Sequence, residues 1–206
     1  MTTTQITPPS FPARPVNGGS IDRALTKIGD WRIQPKFNEY RSIVHIPSGT
    51  MFNRHNEPFA IAKEFEHALM ELNASLGSHA KFEWADCGAL GRRHAIGKGS
   101  LVVFDVIPNF DHDHEPYPER RSWIEKALAV WTPLDARMPE ERVFLTPSYP
   151  GAAAPLVWHE LQQANKVLGC DFYEGIVSYR ANARYAKQLV SSSQETSSLV
   201  KHRFIP

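Results

Sequence analysis

Apolar and polar positions alternate with a period of two along much of the chain, and three windows switch to helical spacing. Trp31 to Lys36 reads as one strand and Arg41 to Ile46 as the next. Pro47-Ser48-Gly49 then supplies a turn and Thr50 to Arg54 returns, which predicts a hairpin. From Ile61 the period lengthens: Ile61, Phe65, Ala68, Leu69 and Leu72 fall on one helical stripe with charges between them. Phe82 to Leu90 is a strand. Ser100 to Ile107 is a nearly unbroken apolar run, the pattern of a strand buried on both faces. Arg120 to Trp131 predicts an amphipathic helix, with Trp123, Ile124, Ala127, Leu128 and Trp131 on its stripe. Pro155 to Leu168 predicts another, stopped by Gly169. Asp171 to Tyr179 is a strand, Ala181 to Lys187 a turn or extended piece, Ser191 to Ser198 a polar loop, and Leu199 to Phe204 a last strand.

The first 20 residues are rich in Thr, Pro and Gly and read as a flexible arm. A short helix is expected over Ile21 to Ile28, capped by Ser20 and ended by Gly29. Hairpins and isolated helices follow each other without βαβ alternation, so the expectation for residues 21–206 is one α+β domain of largely antiparallel sheets.

Composition narrows the class. The chain has 206 residues, 42% of them hydrophobic and 22% charged, with a net charge of +1. That is an ordinary globular balance, and it argues against a binder held to nucleic acid by bulk charge alone. No apolar run is long enough to span a bilayer, and the N-terminus lacks the apolar region of a signal peptide. Two cysteines, Cys87 and Cys170, are too few for a disulfide framework, and a cytoplasmic location is expected. Cys87 reads as a small buried apolar residue rather than a nucleophile. Asp111-His112-Asp113-His114-Glu115 is dense in metal-ligand types but reads as a polar loop, because successive side chains diverge in extended chain. Arg92-Arg93-His94 is a basic loop, equally suited to a solvated hairpin and to a phosphate contact.

Lys36 is the candidate for chemistry. It lies in Gln34-Pro35-Lys36-Phe37-Asn38-Glu39-Tyr40-Arg41, between one strand and the next. An amine on a strand edge can act as a nucleophile, and a fixed cation nearby, such as Arg41, favours its free form. A surface lysine on a hairpin is the alternative.

Further blocks follow in order: Phe52-Asn53-Arg54-His55-Asn56-Glu57, Leu101-Val102-Val103-Phe104-Asp105-Val106, Glu174-Gly175-Ile176-Val177 and Leu199-Val200-Lys201-His202-Arg203. With the Lys36 block, this series resembles the motifs of the covalent nucleotidyltransferases, the superfamily of ATP-dependent DNA ligases, RNA ligases and mRNA capping enzymes. The Arg120-Arg121-Ser122-Trp123-Ile124 segment also looks like one that DNA ligases carry. The resemblance implies the ligase-type nucleotidyltransferase (adenylation) fold: antiparallel sheets flanked by helices, with a nucleotide cleft between them and no OB domain in this chain.

The resemblance also implies roles. Lys36 would attack the α-phosphate of ATP and form a lysyl-AMP intermediate. Gln34 would read the adenine edge, Phe104 would stack on the purine, and Arg41 would contact the ribose or the nicked strand. Arg54 would bind phosphate. Glu174 would bind a divalent cation or position the lysine. Lys201 and Arg203, two apart on a strand, would meet the α-phosphate together. Mg2+ is implied by the charge of the triphosphate and its leaving group. The expected activity is sealing of 5′-phosphate and 3′-hydroxyl ends, with nicked DNA the first choice of partner. RNA ligation and a catalytically impaired binding module are the alternatives. Roles in DNA repair and replication, a monomeric state and an OB-fold partner protein are further implications.

Two departures from the family pattern stand out. The first motif usually reads K-x-D-G, whereas this chain has Lys36-Phe37-Asn38-Glu39, a glutamate where glycine is usual. The third usually ends in a glutamate used near the ribose. The best match here is Ala85-Asp86-Cys87-Gly88-Ala89-Leu90, which puts Gly88 or Ala89 at that place. Asp86 and Glu83 are the candidate substitutes.

Overall fold

The computed structural model describes residues 6–21, 29–131, 141–187 and 189–204. The strands are β1 (Arg14–Asn17), β2 (Trp31–Phe37), β3 (Tyr40–His45), β4 (Thr50–Asn53), β5 (Phe82–Ala89), β6 (Leu101–Pro108), β7 (Val143–Leu145), β8 (Tyr149–Pro150), β9 (Tyr173–Arg180) and β10 (Glu195–Arg203). The helices are α1 (Glu66–Leu76), α2 (Tyr117–Glu125) and α3 (Ala154–Leu168). One five-stranded sheet has the order β1-β10-β9-β2-β8 and the other β4-β3-β5-β6-β7. Pairing is antiparallel except for β1 with β10 and β6 with β7. This is the α+β architecture expected.

The strands β2 and β3 are neighbours in sequence but belong to different sheets. Asn38 and Glu39 carry the chain across. The Asn38 backbone N–H donates to the Phe172 carbonyl at 2.9 Å, and its side-chain amide donates to the Asp171 carbonyl at 3.0 Å. Lys36 therefore stands between two sheets and not on a simple hairpin.

Two cores flank this junction. Val44, Met51, Ala85, Cys87, Val103 and Val106 from the second sheet pack with Ala68 and Leu72 of α1, with Phe65 just before it, and with Trp123 and Ile124 of α2. Ile33, Phe37 and Ile176 of the first sheet pack under Val157, Leu161 and Ala164 of α3, and Val102 and Phe144 join them from the second sheet. Strand β6 thus feeds both cores, which is why its sequence is apolar at nearly every position. Helix α3 ends as the sequence predicts: Gly169 takes the left-handed conformation, φ 66°, that a residue with a Cβ resists.

Three differences from the sequence expectation stand out. Residues 14–17, within the stretch expected to be an arm, form β1 along β10. The helix expected from Ile21 to Ile28 lies outside the described residues apart from Ile21. Helix α2 begins at Tyr117, because Pro118 suits a first helical turn, and ends at Glu125 rather than Trp131. Beyond it the chain turns extended, and Trp131 donates its backbone N–H to the Leu145 carbonyl at 3.0 Å. Strand β10 begins at Glu195, inside the expected polar loop. Among the described residues, no helix is long and apolar enough to cross a membrane.

Candidate functional site

The first wall of the site is built by cross-strand register. Gln34 faces Val177, which faces Lys201, while Lys36 faces Gly175, which faces Arg203. Residues directly opposite share a face of the sheet, so Gln34, Lys36, Lys201 and Arg203 form two adjacent rows on one side. Ile33 and Phe37, of opposite parity, enter the core.

Glu174 joins that face through an irregularity. Lys36 pairs with Gly175 but Phe37 pairs with Tyr173, so Glu174 is the extra residue of a bulge. In unbroken register it would stand opposite Phe37 and point with it into the core. The bulge turns it toward the amine instead. Gly175 permits this: its φ is +145°, and a Cβ there would lie 2.0 Å from the His202 carbonyl oxygen. The Lys36 ammonium binds the Glu174 carboxylate directly, and the lysine side chain is only 16% exposed. Arg203 reaches the same carboxylate at 3.3 Å and Arg93 at 3.7 Å. Burial pushes the Glu174 carboxyl up, but the hydrogen bond and charge of Lys36, then the charges of Arg203 and Arg93, outweigh it and hold it below its ordinary value. Burial, with Arg203 and Arg14 nearby, lowers the Lys201 ammonium.

The second wall comes from β3, β5 and β6. Phe104 is also a bulged residue: Asp86 pairs with Asp105 and Cys87 with Val103, leaving Phe104 without an opposite number. Its ring borders the cleft, and the Arg41 guanidinium lies 5.4 Å from the ring centroid. Arg41 forms a two-pronged ion pair with Asp86, whose second oxygen also accepts the Tyr185 hydroxyl at 2.8 Å. Asp86 outweighs the desolvation of Arg41 and holds its guanidinium firmly charged. Behind this, Arg120 grips Asp105 through bonds of 3.0 and 2.7 Å and donates to the Ala183 carbonyl at 3.1 Å. The pair thereby fastens the 183–187 segment that carries Tyr185. Buried Gln34 donates its amide hydrogens to the Phe104 carbonyl at 3.2 Å and the Tyr117 hydroxyl at 2.8 Å. Its carbonyl oxygen is left for a ligand.

Between the walls lies a cleft bordered by Gln34, Lys36, Arg41, Arg54, Phe104, Lys201 and Arg203, so these sequence candidates share one site. Glu174 is tied into it through Lys36 and Arg203. Arg54 is the outlier: it is exposed at the rim and its Nε donates to the His55 ring at 3.0 Å. Arg41 is occupied by Asp86 rather than free. Of the two acids considered as third-motif substitutes, Asp86 holds Arg41 and Tyr185, while Glu83 is exposed and lies away from the cleft. Sequence reasoning missed Arg14, Arg93, Tyr117 and Glu39. Arg93 carried a signal in the basic loop, and Glu39 one as a departure from the first motif. The others depend on pairings across the sheets.

A cleft with cations on one wall and a ring on the other offers positive charge to anionic oxygens near Lys36 and a flat apolar face near Phe104. Glu174 is the carboxylate that Lys36, Arg203 and Arg93 share, and among the described residues no group of three metal-ligating side chains gathers. A divalent cation fits here as a companion of phosphate oxygens with few protein carboxylates, the habit of Mg2+.

No family model matches the sequence, and no curated protein does. Solved structures do. The chain superposes on the ligase domain of M. tuberculosis LigD with a TM-score of 0.60 at 17% identity, covering 93% of this chain and 58% of that one. A mycobacterial DNA ligase D complexed with ATP and MES gives 0.59 at 15% identity, covering 94% and 60%. An archaeal ATP-dependent RNA ligase gives 0.55 at 15% identity, covering 84% and 45%. The chain thus spans roughly half of the length of these neighbours, and within that span its fold is the nucleotidyltransferase fold of the ATP-dependent ligases.

Proposed function

We propose that this chain is an ATP-dependent polynucleotide ligase-like nucleotidyltransferase that becomes adenylated on Lys36. One observation carries the reading. The Lys36 amine meets Glu174, which Arg203 also reaches, and Lys36, Arg203, Lys201 and Phe104 line one cleft. Lys36 Nζ, having released a proton to water, attacks the α-phosphorus of ATP, and a second proton passes to water as the phosphoramidate forms. An N–P bond forms, the bond to the bridging oxygen breaks, and pyrophosphate leaves. Lys201 and Arg203 stabilise the charge that develops on the phosphoryl oxygens. Glu174 holds the amine in line and, with the phosphates, would hold Mg2+, which would neutralise the leaving group. Phe104 and the Gln34 carbonyl oxygen receive the base.

In the second half of the reaction AMP passes to a 5′-phosphate end and a 3′-hydroxyl displaces it. Nicked DNA is the proposed substrate. The Arg120 segment supports this choice by its resemblance to DNA ligases. An OB-fold, in this polypeptide or in a partner, would close on the nucleic acid.

Purified protein incubated with α-labelled ATP and Mg2+ should give a labelled band on a denaturing gel, and Lys36→Ala should lose it entirely. A folded wild type without adduct, or an adduct that survives Lys36→Ala, overturns the mechanism. Comparison of nicked DNA with nicked RNA, using the labelled protein, then assigns the substrate.

A further inference from the structure

Glu39 is the unexplained acid of the cleft. It sits where β2 crosses to β3 and lines the cavity beside Lys36 and Arg41. One of its carboxylate oxygens, Oε2, is enclosed and has no hydrogen-bond partner. An enclosed oxygen without a donor is costly unless something else supplies one.

Its position is set by a glycine on another strand. Gly88 pairs with Arg41 across β3 and β5. A Cβ built at Gly88 would lie 2.7 Å from Glu39 Cγ and 2.9 Å from Phe104 Cζ. The Glu39 stem therefore occupies the room that a side chain at 88 would take, against the edge of the Phe104 ring. The charges of Lys36, Arg41, Glu174 and Asp86 all act on it. Glu39 thus stands by the ring, in the cleft that the amine also lines.

In a nucleotide, the group between base and α-phosphate is the sugar. A carboxyl group accepts hydrogen bonds, and a ribose offers two hydroxyl donors. We infer that Glu39 receives the ribose hydroxyls of the bound nucleotide and so sets a preference for ribose over deoxyribose. Position 88, where an acid was expected, is a glycine because the acid arrives from β2's exit instead. This inference rests on the cleft holding a nucleotide.

The test is calorimetric binding of ATP, 2′-deoxyATP and 3′-deoxyATP to the full chain. Glu39→Ala and Glu39→Gln serve as variants, each checked for a cooperative thermal melt. Wild type should prefer ATP over the weaker deoxynucleotide by about ten- to a hundredfold, the range of one hydrogen bond to a charged group. Glu39→Ala should collapse that preference to within about twofold by weakening ATP alone. Glu39→Gln, which keeps one acceptor oxygen, should retain part of it. If Glu39→Ala weakens all three nucleotides equally, or keeps the wild-type preference, the assignment to Glu39 is wrong while nucleotide binding stands. A wild type that binds none of the three removes both readings.

Discussion

The two walls of the cleft treat charge in opposite ways. On the β2–β9–β10 wall, Lys36, Arg203 and Arg93 all converge on the single carboxylate of Glu174, and Lys201 stands beside them. That wall keeps an excess of positive charge. On the β3–β5–β6 wall each arginine has its own carboxylate: Arg41 has Asp86 and Arg120 has Asp105. That wall is closed in on itself and presents a ring. An under-compensated wall suits phosphates and a compensated one suits a base and sugar, so under the proposed function the division of charge would set the direction in which a nucleotide enters. The difference also separates catalysis from stability. Pairs on the first wall are partly exposed and screened, whereas Asp86 is 1% exposed and cannot lose its partner cheaply.

The largest effect should come from Gly175→Ala. The added methyl would meet the His202 carbonyl at 2.0 Å in a backbone region that alanine resists, so the bulge must flatten. Glu174 would then turn from the amine toward Phe37. The expected loss is at least about 3 kcal/mol, or roughly 6 to 12 °C in Tm, together with loss of the adenylated band. A variant with unchanged melting and labelling would show that the bulge does not build the first wall.

Next in size is a contrast between Asp86→Ala and Glu174→Ala. The first strands a buried guanidinium and the Tyr185 hydroxyl and should cost about 2–4 kcal/mol. The second releases three cations that water can reach and should cost about 1 kcal/mol or less, yet lower adenylation at least tenfold. Chemical denaturation and labelling, measured on both, test the pair. Equal losses of stability would erase the distinction between the walls.

What the sequence disclosed follows the same division. Gln34 and Lys36, and Lys201 and Arg203, are each two apart on a strand, so alternation alone aims each pair to one face. The apolar run of β6 and the helical stripe of α3 likewise announce their burial. The two bulges leave no such trace. Both Glu174 and Phe104 reach the cleft because one residue is inserted in the register, and that depends on the partner strand. Strands β7 and β8 span three and two residues, too few to show a period. β1 forms only by pairing in parallel with the far end of the chain, a contact that no local pattern encodes. Glu39 reads as a departure from the family motif until Gly88 is seen beneath it, across two strands.

The smallest effect distinguishes the walls by the sign of a titration. On the second wall burial raises the Glu39 carboxyl from 4.5 to about 7, against the opposing pull of Lys36 and Arg41. The folded chain therefore keeps a proton that the unfolded chain has already released between those values. Stability is highest below the lower value, falls as pH rises through the interval, and levels off above about 7. Glu174, on the first wall, shifts the other way: its contribution is present above its ordinary value and lost in acid, so it adds no slope from pH 5 to 8. For Glu39, partial access to solvent reduces the effect to about 1–3 kcal/mol, a few degrees of Tm. Melting curves of wild type and Glu39→Gln between pH 5 and pH 8 isolate it, because the amide does not titrate. The wild type should lose stability relative to the variant as pH rises. A difference that stays flat across that range would mean that the second wall does not hold Glu39 away from water, and the separation of the two walls would lose its electrostatic basis.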